Sequence, residues 1–305
     1  MLVTARCGRD MGWMMTDAIA AGIYSDNAAL RRAARGDAAL CTITHIDGSF
    51  SRRVGAQLAV GPDGGITGSM ADGCLEAALA HHAAEAAAQG EPRFLHFGGA
   101  GDPMDLRLPC GSRIAVTVDP HPAREGLAQA VGALDARRHA ELTVPLADGV
   151  FRRTYRPELR IVAIGTGPEL AAFERLAAVH GALVAAVRPF GEQAGCGVAQ
   201  GLSLGSAPDL PLDRWSAVVV LFHDHEWERS IIPWAVASEA FYVGAQGGAL
   251  TREARLAHLS ELGLSDRAQG RLHGPVGLIP KARDPAVLAL SVLAEIVAAY
   301  EAAGE

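Results

Sequence analysis

The apolar run Arg160-Ile161-Val162-Ala163-Ile164 ends directly in Gly165-Thr166-Gly167, and this junction constrains the fold more than any other feature of the chain. A helix-forming stretch follows at 169–180, then Gly181 and a second apolar run at 182–187. Strand, glycine turn, helix and strand in that order open a doubly wound parallel sheet, because parallel neighbours need a crossover long enough to hold a helix. Runs at 217–221 and 240–243 supply a third and a fourth strand, with room for a helix in each crossover. Residues 159–305 are therefore predicted to form a Rossmann-like domain closed by a helix over 284–299, with Asp284 as its cap and Pro285 in its first turn.

The front half lacks that regular alternation. Alanine-rich stretches at 75–88 and 124–139 predict helices, the first stopped by Gly90 and Pro92. Between them lie β-branched runs at 40–45, 57–60 and 114–118. Residues 1–150 read as a mixed α/β domain, and 151–158, with three arginines and a proline, as a linker. A chain of 305 residues, half of them apolar, is long enough for two such cores.

Charge and cysteine usage exclude several classes. With 27 Lys+Arg against 34 Asp+Glu the formal charge is -7, and no basic run is dense enough to track a phosphate backbone, so nucleic acid is not an expected partner. No run is read as a membrane span and no secretory signal opens the chain, so the protein is expected in the cytoplasm. The cysteines at 7, 41, 74, 110 and 196 form no CxxC and no even framework, which leaves them as thiols rather than disulfides or a structural zinc site.

Three front-half segments combine Gly, Ser, Arg and Cys, so that backbone approaches a ligand while side chains donate to it. They are Gly48-Ser49-Phe50-Ser51-Arg52-Arg53-Val54-Gly55, Gly68-Ser69-Met70-Ala71-Asp72-Gly73-Cys74-Leu75-Glu76 and Leu108-Pro109-Cys110-Gly111-Ser112-Arg113. Cys74 stands at a predicted helix start, where the dipole favours thiolate. Cys74 and Cys110 read equally as small buried hydrophobes. In the rear half, the amides of Gly165 to Gly167 suit a phosphate, although the same turn also serves simply to pack helix on strand. The third glycine of the dinucleotide fingerprint is replaced by Leu170, and the second strand ends in Arg188 instead of a ribose-binding acid. An arginine there favours a phosphate or another anion.

These segments resemble the xanthine dehydrogenase accessory protein family (XdhC/CoxI). The match runs through Gly48, Ser49, Arg52, Gly55 and Ala56, then Gly68, Ser69, Gly73, Cys74 and Glu76, then Cys110 and Gly111. It continues through Gly165-x-Gly167, His223-Asp224, Tyr242-Val243-Gly244, the 274–278 stretch and Ser291 to Ile296, covering about 38–299. Departures at Phe50, Ser51, Asp72, Pro109, Ser112, Pro168, Arg188 and 247–249 mark a divergent member. The resemblance implies a cytoplasmic, non-turnover carrier of the molybdenum cofactor. Such a carrier supports oxo-for-sulfido exchange with a cysteine desulfurase and delivers the cofactor to a xanthine dehydrogenase-like apoenzyme.

A molybdopterin, with or without an added nucleotide, presents a phosphate, a flat hydrogen-bonding pterin and a soft metal dithiolene. Gly165, Gly167 and Arg188 are the expected anion cradle. Gly48, Ser49, Arg52, Gly68, Ser69, Gly73, Glu76 and Gly111 are the other expected cofactor-binding residues, and Cys74 and Cys110 the cofactor-binding residues that could contact the metal. The alternative is an NAD(P)-dependent oxidoreductase built on the rear half. His223-Asp224-His225-Glu226 reads as a solvated acidic turn rather than a metal site. Ser291 and Glu295 share a face of an apolar helix, where a buried carboxylate needs a partner, for example an arginine across an interface. His81 and His82 read as surface residues. A homodimer is the base-rate expectation.

Overall fold

A computed structural model describes residues 25–71, 73–98, 111–190 and 198–303. The chain divides into two compact units between Pro157 and Glu158. Cys7, Asp72, Pro109, Cys110 and Cys196 lie outside the described residues.

The front unit begins with α1 (Asp26–Ala33), capped by the Ser25 hydroxyl on the amide of Ala28. Next come β1 (Ala39–Asp47), β2 (Gln57–Val60), β3 (Ile66–Gly68), α2 (Cys74–Gln89), β4 (Arg93–Phe97), β5 (Arg113–Asp119) and α3 (Arg124–Asp135). The hairpin β6 (Ala140–Leu146) and β7 (Gly149–Tyr155) completes it. The five strands β1 to β5 form one antiparallel sheet in the order β3-β2-β1-β5-β4. Alternation along β1 divides its side chains between two layers: Ala39, Cys41 and Ile43 join the core with Leu75 and Leu79 of α2, whereas Leu40 packs with Leu30 of α1 and Leu127 of α3.

Two expectations need correction here. The helix expected over 124–139 stops at Asp135, because Arg137 turns into the left-handed region at φ 57° and the chain enters β6. The linker expected at 151–158 is instead largely β7, paired in register with β6 from Ala140–Tyr155 to Leu146–Gly149. Arg153 in that strand is engaged: it pairs with Asp26 at 2.6 Å and stacks over the Tyr155 ring at 4.6 Å.

The rear unit runs β8 (Arg160–Gly165), α4 (Gly167–His180), β9 (Leu183–Pro189), β10 (Val198–Leu202), β11 (Ser216–Leu221) and α5 (His225–Ala237). It continues with β12 (Tyr242–Ala245), α6 (Ala249–Glu261), α7 (Asp266–Gln269), β13 (Leu272–His273) and α8 (Pro285–Ala302). The sheet is wholly parallel, ordered β10-β9-β8-β11-β12-β13. Numbered from β8, this is 3-2-1-4-5-6, so the order in which strands are added across the sheet reverses between β8 and β11. Ile161 and Ala163 of β8, with Ala217 and Val219 of β11, face a layer that includes α4 and α8; Val162, Ile164, Val218 and Val220 face α5 and α6. Covering on both faces explains the continuous apolar runs, since each fully buried Val or Ile contributes about 1.5–3 kcal/mol.

Leu170, at the third fingerprint position, fills the first of these layers. The α8 helix has 18 residues and, contrary to the sequence expectation, is long and apolar enough to cross a membrane by length and composition. One face nevertheless packs on the sheet through Leu288, Val292 and Ile296.

Candidate functional site

The first two glycine-rich segments of the front unit, and the described end of the third from Gly111, reach the same end of the five-stranded sheet. Antiparallel pairing accounts for this: β1 ends beside the start of β5, with Asp47 opposite Arg113, and β3 ends beside the start of β2, with Gly68 opposite Leu58. The loop holding Gly48, Ser49 and Arg52 therefore leaves the sheet next to Gly111 and Ser112, and also next to the Gly68–Ser69 turn. Arg52 makes that second proximity a contact. Its Nη2 donates to Ser69 Oγ at 2.9 Å and its Nε to Ser69 O at 3.3 Å. Gly68 cannot be replaced without movement, because its φ is 100° and an added Cβ would stand 2.5 Å from Gln57 O.

Glu76 organises the turn into α2. Its Oε1 accepts from the amides of Met70 at 2.8 Å and Ala71 at 2.6 Å, and its Oε2 accepts from Gly73 at 2.8 Å. Burial pushes the carboxyl up, but the hydrogen bonds from Ala71, Met70 and Gly73 outweigh it and hold the group below its ordinary range. Glu76 was expected among the cofactor-binding residues; the structure commits both of its oxygens to the loop. A Glu three residues past the glycine cap is the sequence signal for this role. Cys74, at the first position of α2, is exposed beside Gly73, while Cys41 is buried in the core with its thiol pushed up to about 12 by desolvation.

The arrangement is thus a shelf of backbone, the Ser69 hydroxyl, the Arg52 guanidinium and one accessible thiol. Its chemistry is hydrogen-bond donation to a planar polar ligand together with soft-metal ligation. His81 and His82 lie further along α2. Both contact Glu85, at 3.5 and 3.1 Å, and His82 is half-buried against Phe97 rather than fully on the surface.

In the rear unit, the loops after β8, β11, β12 and β13 share the carboxyl edge of the sheet, where doubly wound folds bind ligands. Gly165 allows β8 and β11 to meet there, because an added Cβ would stand 2.6 Å from Leu221 O. Gly167 opens α4 at φ 75°. His223, after β11, reaches across the reversal point to Glu169 of α4 at 3.3 Å. Asp224 caps α5 through the amide of Glu226, so the His-Asp-His-Glu stretch is a helix start. Among the described residues no group of three His, Cys, Asp or Glu is placed to hold a metal.

Arg188 does not join this edge as an anion ligand. It lies buried in an ion pair with Glu174 of α4, and so fastens α4 to β9. Sequence reasoning also missed a second buried pair. Glu228 of α5 accepts from Arg255 Nε at 2.7 Å and Nη2 at 2.6 Å and lies 3.1 Å from His225, while Arg255 donates on to Gln246 O after β12. No local pattern announces a pair 27 residues apart. Ser291 and Glu295 likewise find partners within the chain rather than an arginine: Ile279 N donates to Ser291 Oγ at 2.6 Å, and Glu295 accepts from Gly277 N and lies 3.7 Å from His273.

Sheet order, double covering and a glycine-led carboxyl edge place the rear unit in the Rossmann class. Models described as the XdhC Rossmann domain and the XdhC and CoxI family match residues 161–296 and 31–98. The chain belongs to the XdhC and CoxI family. Among its relatives is the molybdenum cofactor insertion chaperone PaoD of Escherichia coli strain K12, 32% identical over 275 residues, which span 85% of this chain and 82% of that one. A solved structure from Bacillus halodurans, described as a xanthine dehydrogenase, shares the fold with a TM-score of 0.71 at 20% identity, over 91% of this chain and 96% of that chain.

Proposed function

We propose that this protein is a carrier that binds the molybdenum cofactor as cargo and inserts it into a molybdoenzyme of the xanthine dehydrogenase type. The observation that carries the reading is the convergence of Arg52, Ser69, Gly73 and Cys74 at one sheet end, in a chain related to a molybdenum cofactor insertion chaperone. Gly48, Ser49, Arg52, Ser69 and Gly111 would hold the pterin through donors. Cys74, together with Cys110, would contact the metal, since thiolates suit soft centres. Glu76 would hold the shelf in shape. Gly165 and Gly167, at the start of α4, would by themselves offer an anion site on the rear unit.

The same reading includes sulfuration of the bound metal with a cysteine desulfurase, function as a homodimer, and a cytoplasmic location. Reconstitution tests it. A xanthine dehydrogenase-like apoenzyme from cells lacking this protein should gain activity when the purified, cofactor-loaded chain is added. Equal activation by free cofactor alone would overturn the reading.

A further inference from the structure

A cavity of about 430 Å³ opens between α5 and α6, and its lining lies wholly within the rear unit. Sites for small organic molecules span roughly 300–1,000 Å³. The lining residues recur at three- and four-residue steps on both helices: His225, Arg229 and Ile232 on α5, Thr251, Ala254 and His258 on α6. Thr251 and Ala254 are too short to fill the space between the helices, which are joined around it instead. The Glu228–Arg255 ion pair makes one join, at 3% and 7% exposure, and His258 Nε2, 3.3 Å from Arg229 O, makes another. Ile232 and Leu259 give the cavity a buried apolar floor, and Leu250 stands at its mouth, 82% exposed.

The polar groups of the lining decide what can enter. Glu228 commits both oxygens to Arg255 and lies 3.1 Å from His225, so these three groups satisfy one another. Two exposed charges remain. Among the described residues no base pairs with the Glu226 carboxylate and no acid with the Arg229 guanidinium, and both line the cavity. Three residues apart on α5, they share a helix face with Cβ atoms about 5–6 Å from each other. The Thr251 hydroxyl adds a group that donates or accepts. A ligand carrying only a negative charge would meet repulsion from Glu226, and one carrying only a positive charge repulsion from Arg229. Complementarity requires both charges a few ångströms apart on one molecule, with an apolar body for the floor.

We propose that the cavity between α5 and α6 binds a free α-amino acid with a large apolar side chain. Its carboxylate takes the Arg229 fork, its ammonium takes Glu226, and its side chain enters against Ile232, Ala254 and Leu259. The proposal rests on no part of the carrier reading.

Isothermal titration calorimetry of the full chain with L-phenylalanine tests it. The wild type should bind one molecule saturably. Phenylacetate and phenethylamine, each with one of the two charges, should bind at least roughly tenfold more weakly. Ala254→Trp fills the space and should abolish binding, and Arg229→Gln should weaken it at least roughly tenfold, both with an unchanged far-UV circular dichroism spectrum. Should Ala254→Trp lose its fold, Arg229→Gln and Glu226→Gln decide the location. Absence of saturable binding overturns the proposal, and so does phenylacetate or phenethylamine binding as tightly as L-phenylalanine. Binding that is indifferent to substitution of the cavity residues overturns the location.

Discussion

Arg52 Nη2 donates to Ser69 Oγ at 2.9 Å, joining the loop after β1 to the loop after β3 on the exposed end of the sheet. The contact lies in solvent, where such bonds contribute little to folding. It holds a charged, planar fork in place on the exposed sheet end, and a fork held in place is pre-organised for a ligand.

Arg52→Ala should therefore leave stability within about 1 kcal/mol of wild type while cofactor retention falls. Arg52→Lys should not restore retention, because an ammonium lacks the fork. Urea unfolding and metal content measured on the same preparations separate the two effects.

Glu76 makes the opposite prediction. Glu76→Gln removes charge from a carboxylate accepting three amides, at a cost of about 1–3 kcal/mol. The folded pKa lies below the ordinary 4.5, so the carboxylate's contribution is fully present above that value and disappears as pH falls through the lower folded value. The stability gap between wild type and Glu76→Gln should be widest near neutrality and close under acid, as read by denaturant midpoints at several pH values.

In the rear unit, Arg255→Met strands the buried Glu228 carboxylate and should destabilise by about 3–5 kcal/mol. Adding Glu228→Leu should recover much of that loss, since paired apolar groups replace a buried ion pair at little cost. A double-mutant cycle by urea unfolding measures both steps.

The two described cysteines should part under alkylation. Cys41 is buried with its thiol pushed up to about 12, whereas Cys74 is exposed. Iodoacetamide on the native protein, followed by peptide mass mapping, should label Cys74 at least about a hundredfold faster.

The rear unit could be read from sequence because its central strands are covered on both faces: β8 and β11 are unbroken apolar runs flanked by turn residues. Strands of two or three residues, such as β13 and β3, carry too little pattern to register. The β6–β7 hairpin escaped because its outward side chains include Arg152 and Arg156 in and beside β7, so a half-solvated alternation resembles a charged connector. The position of Arg188 was visible at the end of β9, but its role was not. Its partner Glu174 sits on the preceding helix, and a tertiary pairing of that kind leaves no periodic trace. In the front unit the three glycine segments stood out by composition, and only antiparallel register brings the first two and the described end of the third to one sheet end.

Molybdenum and pterin content of the full chain, purified without oxygen from cells that make the cofactor, bears most directly on the carrier account. Mass spectrometry counts the metal, and fluorescence after oxidation counts the pterin. The account predicts both in equal amounts with the wild type and at least a roughly tenfold loss of both in the Arg52→Ala/Ser69→Ala double variant. A wild type that holds neither, or that binds NAD(P)H tightly with no pterin, contradicts it.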